Sequence, residues 1–171
     1  MILVRPATST DWHAVGVLVQ EGIFDAPSSL YTLDDLPIDP LKLGQQLTRL
    51  GEEDVAVCLV ADVGLGLGGI CHVLWGEFSR CRHSVHASLL VHPGARRLGV
   101  GRELLRVMAE HFRGDDCVSK ITLSVSETDQ NLERLVVSEG WRLERASPLA
   151  LDLEGRKVAL RHWALDVAGE V

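Results

Sequence analysis

From Ser84 to Val91 the sequence runs as an apolar strand that stops at Pro93, and from Gly99 to Phe112 it runs as an amphipathic helix. Val100, Leu104, Leu105, Met108 and Phe112 share one face of that helix at the helical period. Lys120 to Ser126 then alternates as a strand, with Ile121, Leu123 and Val125 on one side. A helix with one apolar face, set between two strands, has to pack on a sheet. Purely helical and purely β architectures are excluded.

The flanking segments extend this pattern. Ile2 to Arg5 predicts a short strand stopped by Pro6, and Thr10 or Asp11 predicts the cap of a helix through Trp12, Val15, Leu18 and Val19. Ala26 to Pro40 predicts a loop, and Leu41 to Leu50 a second helix. Val55 to Ala61 and Ile70 to Trp75 read as a hairpin around the glycine-rich turn Gly64 to Gly69. Asp129 to Glu139 predicts a helix ended by Gly140, before a last hairpin, Trp141 to Leu153 and Arg156 to Leu165, turning at Glu154-Gly155. The order predicts an α+β sandwich, a mixed sheet with helices on its faces. A chain of 171 residues holds one such domain.

Charge narrows the partners. Acidic residues outnumber basic ones 24 to 17, for a net charge of −7, whereas a duplex-binding surface needs a basic excess. Nucleic acid is not an expected partner. No run approaches the ~20 apolar residues of a membrane span, and no basic leader precedes an apolar stretch. The four cysteines, Cys58, Cys71, Cys81 and Cys117, form no C-x-x-C pair and suggest no disulfide framework. The cytoplasm is the expected compartment. Trp12, Trp141 and Trp163 are expected in the core, and packing is also the expected role of Trp75.

Against this acidic background the turn before the long helix is basic, with Arg96, Arg97 and Arg102 around Gly99 and Gly101. Glycines let a ligand approach the backbone. A helix start presents unpaired N–H groups and partial positive charge, which suits a phosphate or diphosphate. No Gly-Lys-Ser/Thr follows, so this is not a Walker loop, and the third glycine of a dinucleotide fingerprint would fall at Leu104. A strand-to-helix turn with solvated arginines is the remaining alternative.

Val91-x-Pro93-x-x-Arg96-Arg97-x-Gly99-Val100-Gly101, followed by an amphipathic helix, resembles the acetyl-CoA-binding motif of the GNAT superfamily of N-acetyltransferases. The flanking elements, down to Glu139-Gly140-Trp141, carry the resemblance along essentially the whole chain. It implies a mixed, mostly antiparallel sheet whose splayed strands hold acetyl-CoA. The backbone at Leu89, Leu90 and Val91 would then pair with the pantetheine arm. Arg96, Arg97, Leu98, Gly99, Val100, Gly101 and Arg102 would hold the diphosphate. The family's second motif has an Asn that contacts the cofactor and a Tyr that protonates the CoA thiolate. Asp129 and Val136 stand at those positions here, with Asn131 nearby as a cofactor contact, and the chain's only tyrosine is Tyr31 in the early loop.

Direct acetyl transfer needs a base for the amine proton. The strand before the motif contains no carboxylate, and His86 is the preferred base because imidazole titrates near neutrality. Glu77, His72 and Glu127 are weaker alternatives, and His92 belongs to the turn. Cys71-His72 and Cys81-x-His83-x-x-His86 lack paired metal-ligand spacing, so no metal is expected. The expected acceptor is a primary amine: a small amine, an amino acid, an aminoglycoside-like compound, or a peptide or protein N-terminus. The acidic loop at Asp34, Asp35 and Asp39 hints at a cationic one. A non-catalytic acyl-CoA-binding module of the same fold is the alternative function. The oligomeric state is open, and a homodimer is compatible with the sequence.

Overall fold

A computed structural model describes residues 1–26, 29–52, 56–76 and 78–168. The strands are β1 (Leu3–Pro6), β2 (Ala56–Asp62), β3 (Leu67–Trp75), β4 (Ser84–Val91), β5 (Lys120–Ser126), β6 (Arg142–Leu153) and β7 (Arg156–Asp166). The helices are α1 (Trp12–Phe24), α2 (Pro40–Glu52), α3 (Val100–Arg113) and α4 (Gln130–Ser138). One 7-stranded sheet has the order β1-β2-β3-β4-β5-β7-β6. Among the described residues only β4 and β5 pair in parallel, because α3 carries the chain across between them.

Strand alternation divides the apolar residues between two cores. Leu59, Cys71, Val73, Val85, Ala87, Ile121, Leu123 and Val125 face α3 and α4. Cys58, Val60, Ile70 and Leu90 face α1 and α2, where Val15, Leu18, Val19 and Leu43 pack on them. Trp141 and Trp163 are buried with the first group, and Trp75 packs edge-on against Phe112 with ring centroids 5.6 Å apart. Trp12 is only half-buried.

Two local expectations change. The turn after β2 is shorter than Gly64 to Gly69, because β3 begins at Leu67 and takes in Gly68 and Gly69. An added Cβ at Gly69 would lie 2.9 Å from both Val100 and Leu104, so this glycine lets α3 sit directly on the strand. Asp11 does not cap α1 with its side chain. It accepts from the Thr8 amide at 2.8 Å and from both terminal nitrogens of Arg5 at 2.7 and 2.8 Å, which ties β1 to the start of α1.

The hydrogen-bonded Arg5 guanidinium, helped by Thr8 and opposed by partial burial, holds the Asp11 carboxyl well below the usual carboxylate range. Its stabilising contribution is therefore complete above about pH 4, the ordinary unfolded value, and is lost as pH falls toward the depressed folded value. Hydrogen bonds to charged groups contribute roughly 1.5–3 kcal/mol. Asp11→Asn is thus expected to lower the melting temperature at pH 7 and to flatten its decline between pH 4 and 2. Parallel acid slopes in the two proteins would show that this pair carries no linkage.

Candidate functional site

The β4–β5 ladder is short. It pairs Ser84 with Lys120 through Ala87 with Leu123 and then stops, although β4 continues to Val91 and β5 to Ser126. Beyond Ala87 the two strands splay. On its other edge β4 stays paired with β3 to Val91, and β5 stays paired with β7 to Ser126. Val85 presents its carbonyl to the β5 side, where it accepts the Thr122 hydroxyl at 3.1 Å. Alternation turns the backbone N–H and C=O of Leu89 and Val91 the same way, into the splay. Leu90 presents its backbone to β3 opposite Ile70, and its side chain lies under Gly22 of α1.

The turn after β4 opens at the end of this splay. His92 caps the 3-10 turn Pro93–Ala95: its Nδ1 accepts from the Gly94 amide at 3.1 Å and its Nε2 lies 3.0 Å from Glu21. His92 thus belongs to the turn. Arg97 and Gly99 both adopt positive φ, 66° and 91°, and Gly99 is the N-cap of α3. This path leaves the amides of Arg97, Leu98, Gly99, Val100, Gly101 and Arg102 with no protein acceptor among the described residues. A row of free N–H groups at a helix start is an anion cradle. Arg96 is held by Asp25 at 2.5 Å and reaches the Val91 carbonyl at 3.4 Å. Arg102 is held by Glu139 at 2.7 Å. Arg97 is exposed and forms no ion pair among the described residues.

His86 sits on β4 just before the splay, half-buried, on the sheet face that carries α1 and α2. Its Nδ1 lies 3.1 Å from Thr122 Oγ1. That hydroxyl has one hydrogen and donates it to Val85, so it accepts from His86. In that arrangement the His86 proton sits on Nδ1 and Nε2 keeps a lone pair with no partner among the described residues. Burial first, and the nearby His162 second, push the His86 pKa down, so the imidazole is neutral at pH 7. A neutral imidazole with a free nitrogen can take a proton.

Asn131 is exposed on the first turn of α4, and Asp129 caps that helix by accepting from the Leu132 amide at 3.0 Å. Val136 is 0% exposed in the core. Glu127 accepts from the Ala159 amide at 2.8 Å. His72 is half-buried toward α2, and burial lowers its pKa against the opposing pull of the Leu47 backbone carbonyl. Glu77 lies outside the described residues. Cys71 turns to the opposite face from His72, with its thiol on Met108 Sδ at 3.4 Å and pushed up to about 12 by burial.

In the acidic loop, Asp35 accepts from Thr32 and Asp39 from the Leu41 amide, so both serve local turns. Asp34, Phe24 and Ile38 line a cavity of about 760 Å³ beside Pro93.

Sequence reasoning passed over Thr122, Ser124 and His162. The signal was present in the alternation of β5, which puts Thr122 and Ser124 on the face opposite Ile121, Leu123 and Val125. Ser124 Oγ lies 3.0 Å from His162 Nδ1 on β7, and His162 Nε2 lies 3.3 Å from Ser147 Oγ on β6. Burial and the neighbouring Arg145, opposed by Glu144, lower the His162 pKa.

Comparison with known proteins places this geometry. The acetyltransferase of the GNAT family from Streptococcus pneumoniae superposes with a TM-score of 0.84 at 16% identity, covering 99% of this chain and 100% of its own. The ribosomal-protein-alanine N-acetyltransferase of Brucella melitensis gives 0.81 at 23% identity, covering 96% of this chain and 99% of its own. A GNAT phosphinothricin acetyltransferase from Sinorhizobium meliloti, solved in complex with AcCoA, gives 0.85 at 15% identity, covering 98% of this chain and 89% of its own. No curated protein matches the sequence. The sequence profile of the acetyltransferase (GNAT) family matches residues 37–138, a span that contains the splay, the anion cradle and His86. The chain is therefore a member of the GNAT acetyltransferase family.

Proposed function

We propose that this chain, acting as a single domain, binds acetyl-CoA in the β4–β5 splay and transfers its acetyl group directly to a primary amine. The observation that carries the reading is the continuity of splay and cradle. The open backbone edge of Leu89 and Val91 leads straight to the free amides of Arg97 to Arg102. An extended amide-bearing arm suits the first, and a diphosphate suits the second. Leu90 contributes packing under α1 rather than a backbone contact. Arg97, which unlike Arg96 and Arg102 has no carboxylate partner among the described residues, adds charge to the cradle. Asn131 offers an exposed amide at the start of α4, near the cofactor's path.

Chemically, the amine nitrogen attacks the thioester carbon and loses a proton to Nε2 of His86. The acceptor approaches on the face of His86, Thr122 and Ser124. The structural relatives include enzymes named for ribosomal-protein alanine and for phosphinothricin, so an α-amine or amino-acid-like amine heads the list of acceptors to test.

Acetyl-CoA at a hundredfold its Kd should stabilise the fold by ~2.7 kcal/mol, a melting shift of roughly 5–10 °C for a domain of this size. Release of CoA thiol should follow on adding an amine. Binding without release across amino acids, phosphinothricin and N-terminal alanyl peptides would favour the non-catalytic module. His86→Ala is expected to lower kcat by about a hundredfold or more, with the acetyl-CoA Kd unchanged. Because the His86 pKa is depressed, the acid limb that His86 adds to the wild-type kcat profile, beyond the limb set by the amine's own ionisation, should lie below about pH 6.5, the ordinary imidazole value. A His86→Ala protein that keeps this acid limb would remove His86 from the mechanism.

A further inference from the structure

Ser124 occupies a singular position. It is the first β5 residue after the last β4–β5 pair, Ala87 with Leu123, and so stands where the strands begin to part. Alternation puts its side chain on the same face as Thr122 and His86. The apolar residues under α1 and α2 lie on β2, β3 and β4, so the face above β5, β7 and β6 stays uncovered by those helices. Ser124, His162 and Ser147 are each half-buried along it.

The hydrogen bonds among them can all run one way, from Ser147 through His162 to Ser124. With Ser147 Oγ donating to His162 Nε2 at 3.3 Å, the imidazole keeps its proton on Nδ1. Nδ1–H then donates to Ser124 Oγ at 3.0 Å, and the single Ser124 hydroxyl hydrogen is left to point away from His162. The register brings the three side chains together. Ser124 and His162 are direct partners in the β5–β7 ladder, and the irregular β6–β7 pairing next to Ser147 brings a third strand to the same imidazole. Meanwhile α4 offers no hydroxyl at Val136, which is sealed in the core.

We propose that Ser124 is a catalytic residue that donates its hydroxyl hydrogen bond to the sulfur of CoA as the thioester breaks, with His162 and Ser147 as positioning residues that aim it. The inference rests on the reading that acetyl-CoA occupies the splay. The new C–N bond forms as the C–S bond breaks, and the bonding pair stays on sulfur. The amine's proton goes to Nε2 of His86 and then to solvent. The thiolate leaves hydrogen-bonded to Ser124 and takes a proton from solvent on release. Nothing is oxidised or reduced. A thiol's reference pKa of about 8.5 makes the thiolate a tolerable leaving group once one donor faces it.

Binding of CoA and of desulfo-CoA, which lacks the sulfur, separates this role from structural ones. Calorimetry at pH 9, where the thiol is mostly ionised, is the test, with melting curves to confirm that each variant is folded. Ser124→Ala should weaken CoA by about tenfold or more, as loss of a hydrogen bond to a charged group requires, and leave desulfo-CoA unchanged. His162→Ala should show the same selective loss. His162→Asn, whose side-chain N–H can replace Nδ1–H, should restore most of it. In turnover, Ser124→Ala should lower kcat and leave the acetyl-CoA KM unchanged. If Ser124→Ala weakens both ligands equally, or neither, the inference is overturned while the proposed function stands. If the wild-type chain binds neither ligand, both fall together.

Discussion

Gly44→Ala is expected to destabilise the protein by about 3 kcal/mol, the upper end of overpacking costs. The reason is the crossing of α1 and α2. A Cβ on Gly44 would land on the backbone carbonyl of Trp12, and one on Gly16 would land on that of Pro40. Each helix thus passes its glycine over the first turn of the other. Backbone cannot rotate away as a side chain can, so the helices must separate. Separation would loosen Leu43, Val15 and Leu18 from the sheet face they cover. Urea unfolding should show a lower midpoint at constant slope. Gly114→Ala, where the nearest neighbour of an added Cβ is 3.9 Å away, is the matched control and should be nearly neutral. Equal midpoints for the Gly44 and Gly114 variants would refute this account of the crossing.

The second large effect is expected at Gly99. Its φ of 91° lies in the left-handed region, yet an added Cβ has open space, with only Ile2 Cδ1 at 4.0 Å. Aspartate is among the residues that tolerate this region, so Gly99→Asp should fold with a modest penalty of about 1–2 kcal/mol. Its carboxylate would stand at the mouth of α3, against the free amides and where the diphosphate is proposed to lie. Two like charges at about 5 Å in an effective dielectric of about 20 repel by roughly 3 kcal/mol, which is a loss of about a hundredfold in affinity. Gly99→Ala carries the same backbone strain without the charge and should lose much less. If Gly99→Asp and Gly99→Ala bind acetyl-CoA alike, the cradle does not hold the diphosphate.

How much of this was readable in advance depends on the range of the interaction. Strands β4 and β5 were placed from Ser84 to Val91 and from Lys120 to Ser126 by local alternation, with the bounds found in the structure. The helix start at Gly99 was equally local, since glycines and a following apolar period suffice to mark it. The turn before β3 was read as too long because glycines signal turns, whereas Gly69 is there to admit Val100 and Leu104 from a distant helix.

Local sequence offers Thr10 or Asp11 as a cap, whereas the pairing of Asp11 with Arg5 depends on how β1 meets α1. The site divides in the same way. The basic turn was visible, but Arg96 and Arg102 find Asp25 and Glu139 only when α1 and α4 fold back on it. His86 stood out by residue type. Its tautomer follows from Thr122, 36 positions away, and Ser124 acquires a role only beside His162, 38 positions away. The splay is the least local feature of all, being the place where a parallel ladder ends.

The most direct measurement is a crystal structure of the chain soaked in acetyl-CoA. Diphosphate oxygens are expected within hydrogen-bonding distance of several amides between Arg97 and Arg102, with the pantetheine arm along Leu89 and Val91. A cofactor bound at some other surface, with that turn closed by its own side chains, would contradict this expectation.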